Sequence, residues 1–362
     1  MNSALDYWQL LASHELGGGE GVALALCRYL RDRGERSVAL IPGHGPAWEN
    51  AQQMRVDAEV FDLQGALAAS RLRAAVANGR LLCQLRRGPT GLVHVHAPVV
   101  YGALRHALQW SALRTVVHVQ ITPREAELKW AFRKPPDLVI TCARFFREGV
   151  AAAIPDCRRP RVQIEVVPNA VDLARFRAAD RRQAKSGLGC APDVPVALML
   201  ANLSPHKGQA TAIRAVAELA RRGTRVECWL AGVERAGSQG YREKLQALAD
   251  GLGVGDRVRL FGFRDDAQVL LAAADVVLLP STDEGLPLTL LEAQACERAV
   301  VAAPTAGIPE IIDDGLTGFL VAADDHAGYA GRIELLLRDV NLYAQMTQRA
   351  RRLVEENNSW EV

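Results

Sequence analysis

Two acids and one lysine offer the clearest chemistry in this sequence. Glu284 and Glu292 stand eight positions apart in STDEGLPLTLLEAQA. Leu288 to Ala295 has helical composition, which puts Glu292 in the first two turns and Glu284 at the loop-to-helix transition. Eight positions make roughly two helical turns if the intervening residues are regular, enough to bring both carboxylates to one side of a pocket. Glu292 lies among apolar neighbours, so when buried it needs a polar partner, and the hydroxyls of a ribose would supply one. The plainer reading is a helix-start acid and a solvated helix residue. Lys207, in LSPHKGQ, precedes another helical segment. A flexible point charge there can meet an anion, although alone it reads better as a solvent-facing loop lysine.

A second set lies near the N-terminus. Gly17, Gly18 and Gly19 precede a helical segment and permit close backbone approach to an anion. The loop lacks the Lys and Ser/Thr of a Walker motif and the full dinucleotide fingerprint, so a structural turn fits those residues as well as a ligand loop. His94 and His96 share one face of a strand by two-residue alternation, and His118 lies near the end of the next. No third ligand at a usual metal spacing accompanies the first pair, so no metal is expected.

Positioning these groups requires a repeated framework. Short β-branched runs, at 7–12, 37–41, 92–96, 115–119, 138–141 and 164–167, alternate with Ala/Leu-rich segments of helical spacing. A second set follows at 196–201, 225–231, 258–261, 276–279, 299–302 and 318–321. The pattern is that of βαβ units around parallel sheets. Both halves open with a strand, a loop and a helix that closes on a glycine, Gly34 and Gly223, offset by 189 residues; the same offset carries Gly18 onto Lys207. Two doubly wound Rossmann-like domains are expected, over residues 1–170 and 196–362, with 171–195 as a linker region rich in charge, Gly and Pro. Facing one another, they would form a deep cleft suited to a two-substrate reaction.

Composition agrees with such a chain and excludes others. With 362 residues, 49 % of them apolar and a net charge of +2, the chain is neither disordered nor a small disulfide scaffold. The seven cysteines form no close pairs, no run is long enough for a membrane span, and the acidic start lacks the basic head of a leader. These features suggest a cytoplasmic protein. The overall balance gives no footprint for nucleic acid, yet it hides a basic first half (+6 over residues 1–170) and an acidic second half (−4). The stretch 71–87 interleaves Arg with Leu, Ala and Val. It fits a solvated basic helix packed on the sheet, or an amphipathic helix in peripheral contact with an anionic membrane at its inner face.

The segment STDEGLPLTLLEAQA resembles the signature of the retaining, nucleotide-sugar-dependent glycosyltransferases of family 4, which have the GT-B fold. HELGGGE, VVPNAVDLARF, LANLSPHKGQ and TAGIPEIIDDGLTGFLV are similar to other segments of that family, in the family's order. The resemblance covers nearly the whole chain. It implies a donor site in which Glu292 holds the ribose and Glu284 lies near the transferred sugar. Lys207 would take the diphosphate, and backbone amides around Gly285, Leu286, Pro287 and Leu288 would face sugar and phosphates. It also places Asn202 at the donor, Gly18 and Gly19 near donor phosphate or acceptor, and His118 at the acceptor side, with His96 in the preceding strand-end motif. The donor substrate would be a nucleoside-diphosphate sugar and the partner a hydroxyl-bearing acceptor, with no further cofactor. Asn202 stands where the family commonly has Arg, Glu297 and Arg298 where a Gly is usual, and Ala306 replaces the first Gly of a pair. Family chains commonly continue past a segment like NNSWEV into a closing helix, so that helix is expected to be incomplete at Val362. Other two-domain enzymes, such as epimerases, phosphorylases or hydrolases, and a noncatalytic nucleotide-sugar-binding subunit are the alternatives.

Overall fold

The computed structural model describes residues 6–88, 90–235 and 237–361; residues 1–5 and Val362, where the expected closing helix stops, lie outside them. The chain separates into two compact units, Met1–Val167 and Pro168–Val362. In the first, seven strands form one sheet: β1 (Asp6–Leu10), β2 (Arg36–Ile41), β3 (Asp57–Val60), β4 (Leu92–Val95), β5 (Arg114–Val119), β6 (Leu138–Thr141) and β7 (Gln163–Val166). Their order is β3-β2-β1-β4-β5-β6-β7, with parallel pairing throughout. The second holds six: β8 (Val196–Leu200), β9 (Glu227–Ala231), β10 (Val258–Gly262), β11 (Val276–Leu279), β12 (Ala299–Ala302) and β13 (Phe319–Leu320). They run in the order β10-β9-β8-β11-β12-β13 and are again parallel. Two Rossmann-like units are therefore present.

Central strands such as VVLL of β11 and AVVA of β12 are buried along their whole length, as expected for strands covered on both faces. Every strand anticipated from the sequence is there, with ends moved by one or two residues. One was missed. β3, DAEV, is a mostly exposed edge strand beside β2, and without an apolar run it carries little periodic signal. The corresponding helices Gly18–Asp32 and Gln209–Arg221 are followed by Gly34 and Gly223, both at φ +79°. That left-handed conformation favours glycine and stops a helix.

Residues 171–195, read from sequence as a linker, lie within the second unit and include the helix Arg181–Gly187, capped by Asp180. Asp275 anchors it: one carboxylate oxygen takes Arg181 at 2.8 Å, the other takes Lys185 at 2.6 Å and the Val196 amide at 2.7 Å. Removing one partner from a buried pair of this kind costs about 3–5 kcal/mol. The basic stretch near residue 80 forms the helix Arg71–Leu85, which buries Ala77, Leu81 and Leu85 and leaves Leu72 and Val76 exposed. Among the described residues no helix is long and apolar enough to cross a membrane.

Candidate functional site

In each sheet the chain order reverses at one point. Beyond β8 the sheet continues with β9 and β10, and beyond β11 with β12 and β13. Open α/β sheets hold ligands in the crevice beyond the carboxyl ends of the strands at such a reversal, here β8 and β11. The loop after β8 carries Asn202 and Lys207, and the loop after β11 carries Glu284 to Pro287. The structure thus brings together groups that lie about eighty positions apart in sequence.

Lys207 and Glu284 meet directly. Lys207 Nζ donates to Glu284 Oε1 at 2.8 Å, with their side chains 20 % and 10 % exposed. The two loops that carry them are clamped backbone to backbone. The Thr282 amide donates to the His206 carbonyl at 2.9 Å, and Ser281 Oγ donates to the Lys207 carbonyl at 3.4 Å. Gly208, at φ +77°, makes the approach possible: a Cβ there would lie 2.1 Å from the Pro280 carbonyl oxygen. Burial lowers the pKa of neighbouring His206, and the Lys207 charge lowers it further.

Two helices begin at this crevice. Gln209–Arg221 starts after Gly208 and Leu288–Ala295 after Pro287; neither has a side-chain cap or an acid in its first turn. Such helix starts present amides and a positive dipole end to an anion. Thr289 Oγ1 donates to the Leu200 carbonyl at 3.1 Å, tying the second helix to β8. The carbonyl of Asn202 accepts from Gln209 Nε2 at 2.8 Å, and Asn202 brings no charge to this position. Gly285 and Leu286 spend their carbonyls on the Gly307 amide (3.1 Å) and Asn169 Nδ2 (2.7 Å).

Glu284 and Glu292 do not sit on one regular helix. Leu288 begins the helix, so the span between them is a loop followed by one turn. Glu292 is half-buried, and burial pushes its carboxyl up to about 7, opposed by the charge of Arg175. Arg175 is held by the Asp265 carbonyl at 2.6 Å and by Gln268 Oε1 at 3.1 Å. Nothing in local spacing marks Arg175, Gln209 or Asn169; their roles follow from contacts about seven to over a hundred positions distant.

The first unit reverses between β1 and β4. Gly18 opens the helix Gly18–Asp32, and a Cβ on it would meet nothing within 4 Å. On Gly19 it would lie 2.8 Å from Gln120 Oε1. The buried Glu20 carboxylate accepts from the Gly17 amide at 3.2 Å, placing negative charge at this helix start. His94, His96 and His118 are buried together, with candidate ligand nitrogens mutually within 4.8 Å. Along the chain no third ligand stands at a usual metal spacing, yet the fold brings His118 beside the His94–His96 pair. The cause is register: β4 pairs β5 with Val95 opposite Val117, so one step further His96 faces His118. Metal spacing along a chain does not register a neighbour across the ladder. Such a trio can offer nitrogens to a transition metal, but His96 has both of its own engaged, by Gln9 Oε1 at 2.8 Å and Gln120 Nε2 at 3.0 Å. Burial holds all three rings neutral, pushing His94 down to about 4 and His118 to about 3.

Comparison with known proteins agrees with this division. A family model for glycosyl transferases group 1 matches residues 180–353, and one for Glycosyltransferase Family 4 matches residues 16–175. D-inositol 3-phosphate glycosyltransferase of Mycobacterium marinum (strain ATCC BAA-535 / M) is 36 % identical over 208 residues, covering 56 % of this chain and 44 % of the relative. The same-named protein of Actinosynnema mirum is 40 % identical over 183 residues, covering 48 % and 44 %. The chain thus spans less than half the length of these curated relatives. In fold it is similar to Anabaena Alr3699/HepE, solved in complex with UDP and glucose (TM-score 0.85, 22 % identity, 98 % of this chain and 96 % of that one). It is also similar to sucrose-phosphate synthase of Thermosynechococcus elongatus (TM-score 0.79, 18 % identity, 98 % and 96 %).

Proposed function

The chain belongs to glycosyltransferase family 4, and from that premise we propose that it moves a sugar from a nucleoside-diphosphate sugar to an acceptor hydroxyl with retention at the anomeric carbon. The observation that carries this reading is the Lys207–Glu284 pair on the two loops that lead into uncapped helix starts at the β8/β11 reversal. In the proposed reaction the bond from the anomeric carbon to the diphosphate breaks, a bond to the acceptor oxygen forms on the same face, and the acceptor hydroxyl's proton passes to the departing diphosphate oxygen. The leaving group gathers negative charge, and fixed donors aimed at developing charge lower such barriers most. Lys207 supplies the cation, and the starts of Gln209–Arg221 and Leu288–Ala295 supply amides. Glu284 holds the lysine in place and acts as a positioning and electrostatic residue. Glu292 in its ionised form accepts from the ribose hydroxyls.

His118 belongs to the acceptor side in this reading. The carboxylate of Glu20 beside Gly17 argues for assigning Gly18 and Gly19 to the acceptor as well, leaving the diphosphate to the second unit. Uridine diphosphate sugars are the first donors to try, given the UDP bound to Alr3699/HepE. Phosphorylated cyclitols are the first acceptors, given the names of the curated relatives. The test is mass spectrometry of products after incubation with pooled nucleotide sugars and candidate soluble or lipid acceptors. A product heavier than its acceptor by one glycosyl unit is expected. Donor binding without turnover over the whole panel would mark a nucleotide-sugar-binding subunit instead.

A further inference from the structure

The histidine cluster of the first unit is bounded by two glutamines, and their bonds determine where each ring proton sits. Gln9, His94, His96, His118 and Gln120 lie on one face of the sheet, from β1, β4, β5 and the residues that follow them, and all five are buried. A buried imidazole that is neutral carries one N–H and one lone pair. Gln9 Oε1 can only accept, so the 2.8 Å contact puts the His96 proton on Nε2. His96 Nδ1 is then an acceptor and takes a proton of the Gln120 amide at 3.0 Å. The same amide nitrogen has a second proton, and it meets His118 Nδ1 at 3.3 Å. His118 Nδ1 is therefore an acceptor too, and the one remaining ring proton of His118 is on Nε2. That atom is buried with no hydrogen-bond partner among the described residues. An unpaired buried donor is costly, and a ligand oxygen removes that cost.

We propose that Gln120 is a positioning residue: by donating to Nδ1 of both His96 and His118 it fixes His118 as the Nε2–H tautomer, so that His118 meets its substrate as a hydrogen-bond donor to an oxygen and not as a general base. The role toward substrate rests on the transferase reading above; the tautomer rests on the orientation of the Gln9 and Gln120 amides. A side chain at 19 would press on the end of Gln120, so the glycine loop lies against the histidine cluster.

Long-range proton–nitrogen correlation spectra of the ¹⁵N-labelled full chain, without substrate, read the tautomers directly. Protonated Nε2 and unprotonated Nδ1 are expected on both His96 and His118. A proton on Nδ1 of His118 overturns the proposal, as does stoichiometric binding of zinc that shifts all three rings, since a metal at these nitrogens would need the Nε2 lone pair. Gln120→Glu supplies the second arm. A carboxylate can only accept, so it draws the proton to Nδ1 and leaves Nε2 a lone pair. Transfer is expected to fall about 10²-fold, the usual cost of losing one donor aimed at a reacting oxygen, with the His118 signals inverted. Wild-type turnover with inverted signals overturns the proposal while leaving the transferase reading intact. If Gln120→Glu does not fold, the wild-type spectrum still decides. If no donor and acceptor pair turns over, the transferase reading fails and the substrate role falls with it, while the spectrum continues to judge the tautomer.

Discussion

The loop after β1 and the loop after β8 hold equivalent places in two units of the same topology, yet they are furnished in opposite ways. At the first, the helix Gly18–Asp32 starts with its own acid, Glu20, and the nearby strand ends carry neutral histidines and glutamines. At the second, the helices Gln209–Arg221 and Leu288–Ala295 start without acids and share a lysine–glutamate pair. One topology thus gives an acid and uncharged hydrogen-bonding side chains in the first unit, and a cation with two acid-free helix starts in the second. Strand order places a ligand site at the reversal, and the residues on the loops decide which ligand. In the proposed transferase a diphosphate would be held at the second and hydroxyl groups at the first.

The largest way to break this contrast is to remove the cation. Lys207→Ala is expected to reduce transfer about 10²- to 10³-fold, the range for loss of one charge-stabilising donor, with a much smaller effect on thermal unfolding. Turnover near wild type with the physiological pair would end its assignment. The substitution also leaves Glu284 without this partner beside the incoming phosphates, so Lys207→Ala/Glu284→Gln should recover part of the loss, read as kcat/KM.

A second, smaller effect concerns Glu292. Burial pushes its carboxyl from 4.5 up to about 7, and in the proposed transferase its ionised form would accept from the ribose hydroxyls. Donor affinity should therefore rise with pH through about 7. Glu292→Gln should flatten that rise and weaken binding by roughly 1.5–3 kcal/mol, about ten- to a hundredfold. Calorimetric titrations at pH 6 and 8 measure both. For stability the sign is opposite: the folded state holds this proton more tightly than the unfolded one, so the Glu292 contribution declines as pH rises from about 4.5 through 7.

The smallest effect contrasts the two units under acid. His94 and His118 are depressed to about 4 and 3 from 6.5 by burial. The unfolded chain takes up protons near 6.5 while the folded one does not. Their contribution is present above about 6.5 and is lost as pH falls below it. Hydrogen exchange, corrected for intrinsic rate, should show the amides of β4 and β5 losing protection between pH 7 and 5, with β8 and β11 little changed. Uniform loss in both units would contradict the assignment.

What the sequence made legible follows from where its signals lie. EGLPLTLLEAQA and SPHKG are contiguous, so loop, helix start and charged groups read directly, and β-branched runs such as VVLL mark buried strands. The Gly34/Gly223 offset carried the two-unit plan. By contrast, the pairing of Lys207 with Glu284 depends on β8 lying beside β11, and the histidine trio depends on the β4–β5 register. Gln9 and Gln120 carry no motif at all; each matters because of a residue on another strand or two places along its own. β3 was missed because an exposed edge strand needs few apolar residues.

The most direct test of the division between the two sites is hydrogen exchange of the full chain with and without UDP. Protection confined to the segments 202–209 and 282–293 is the predicted result. Protection of residues 13–20 and 94–120 instead, with those segments unchanged, would contradict it.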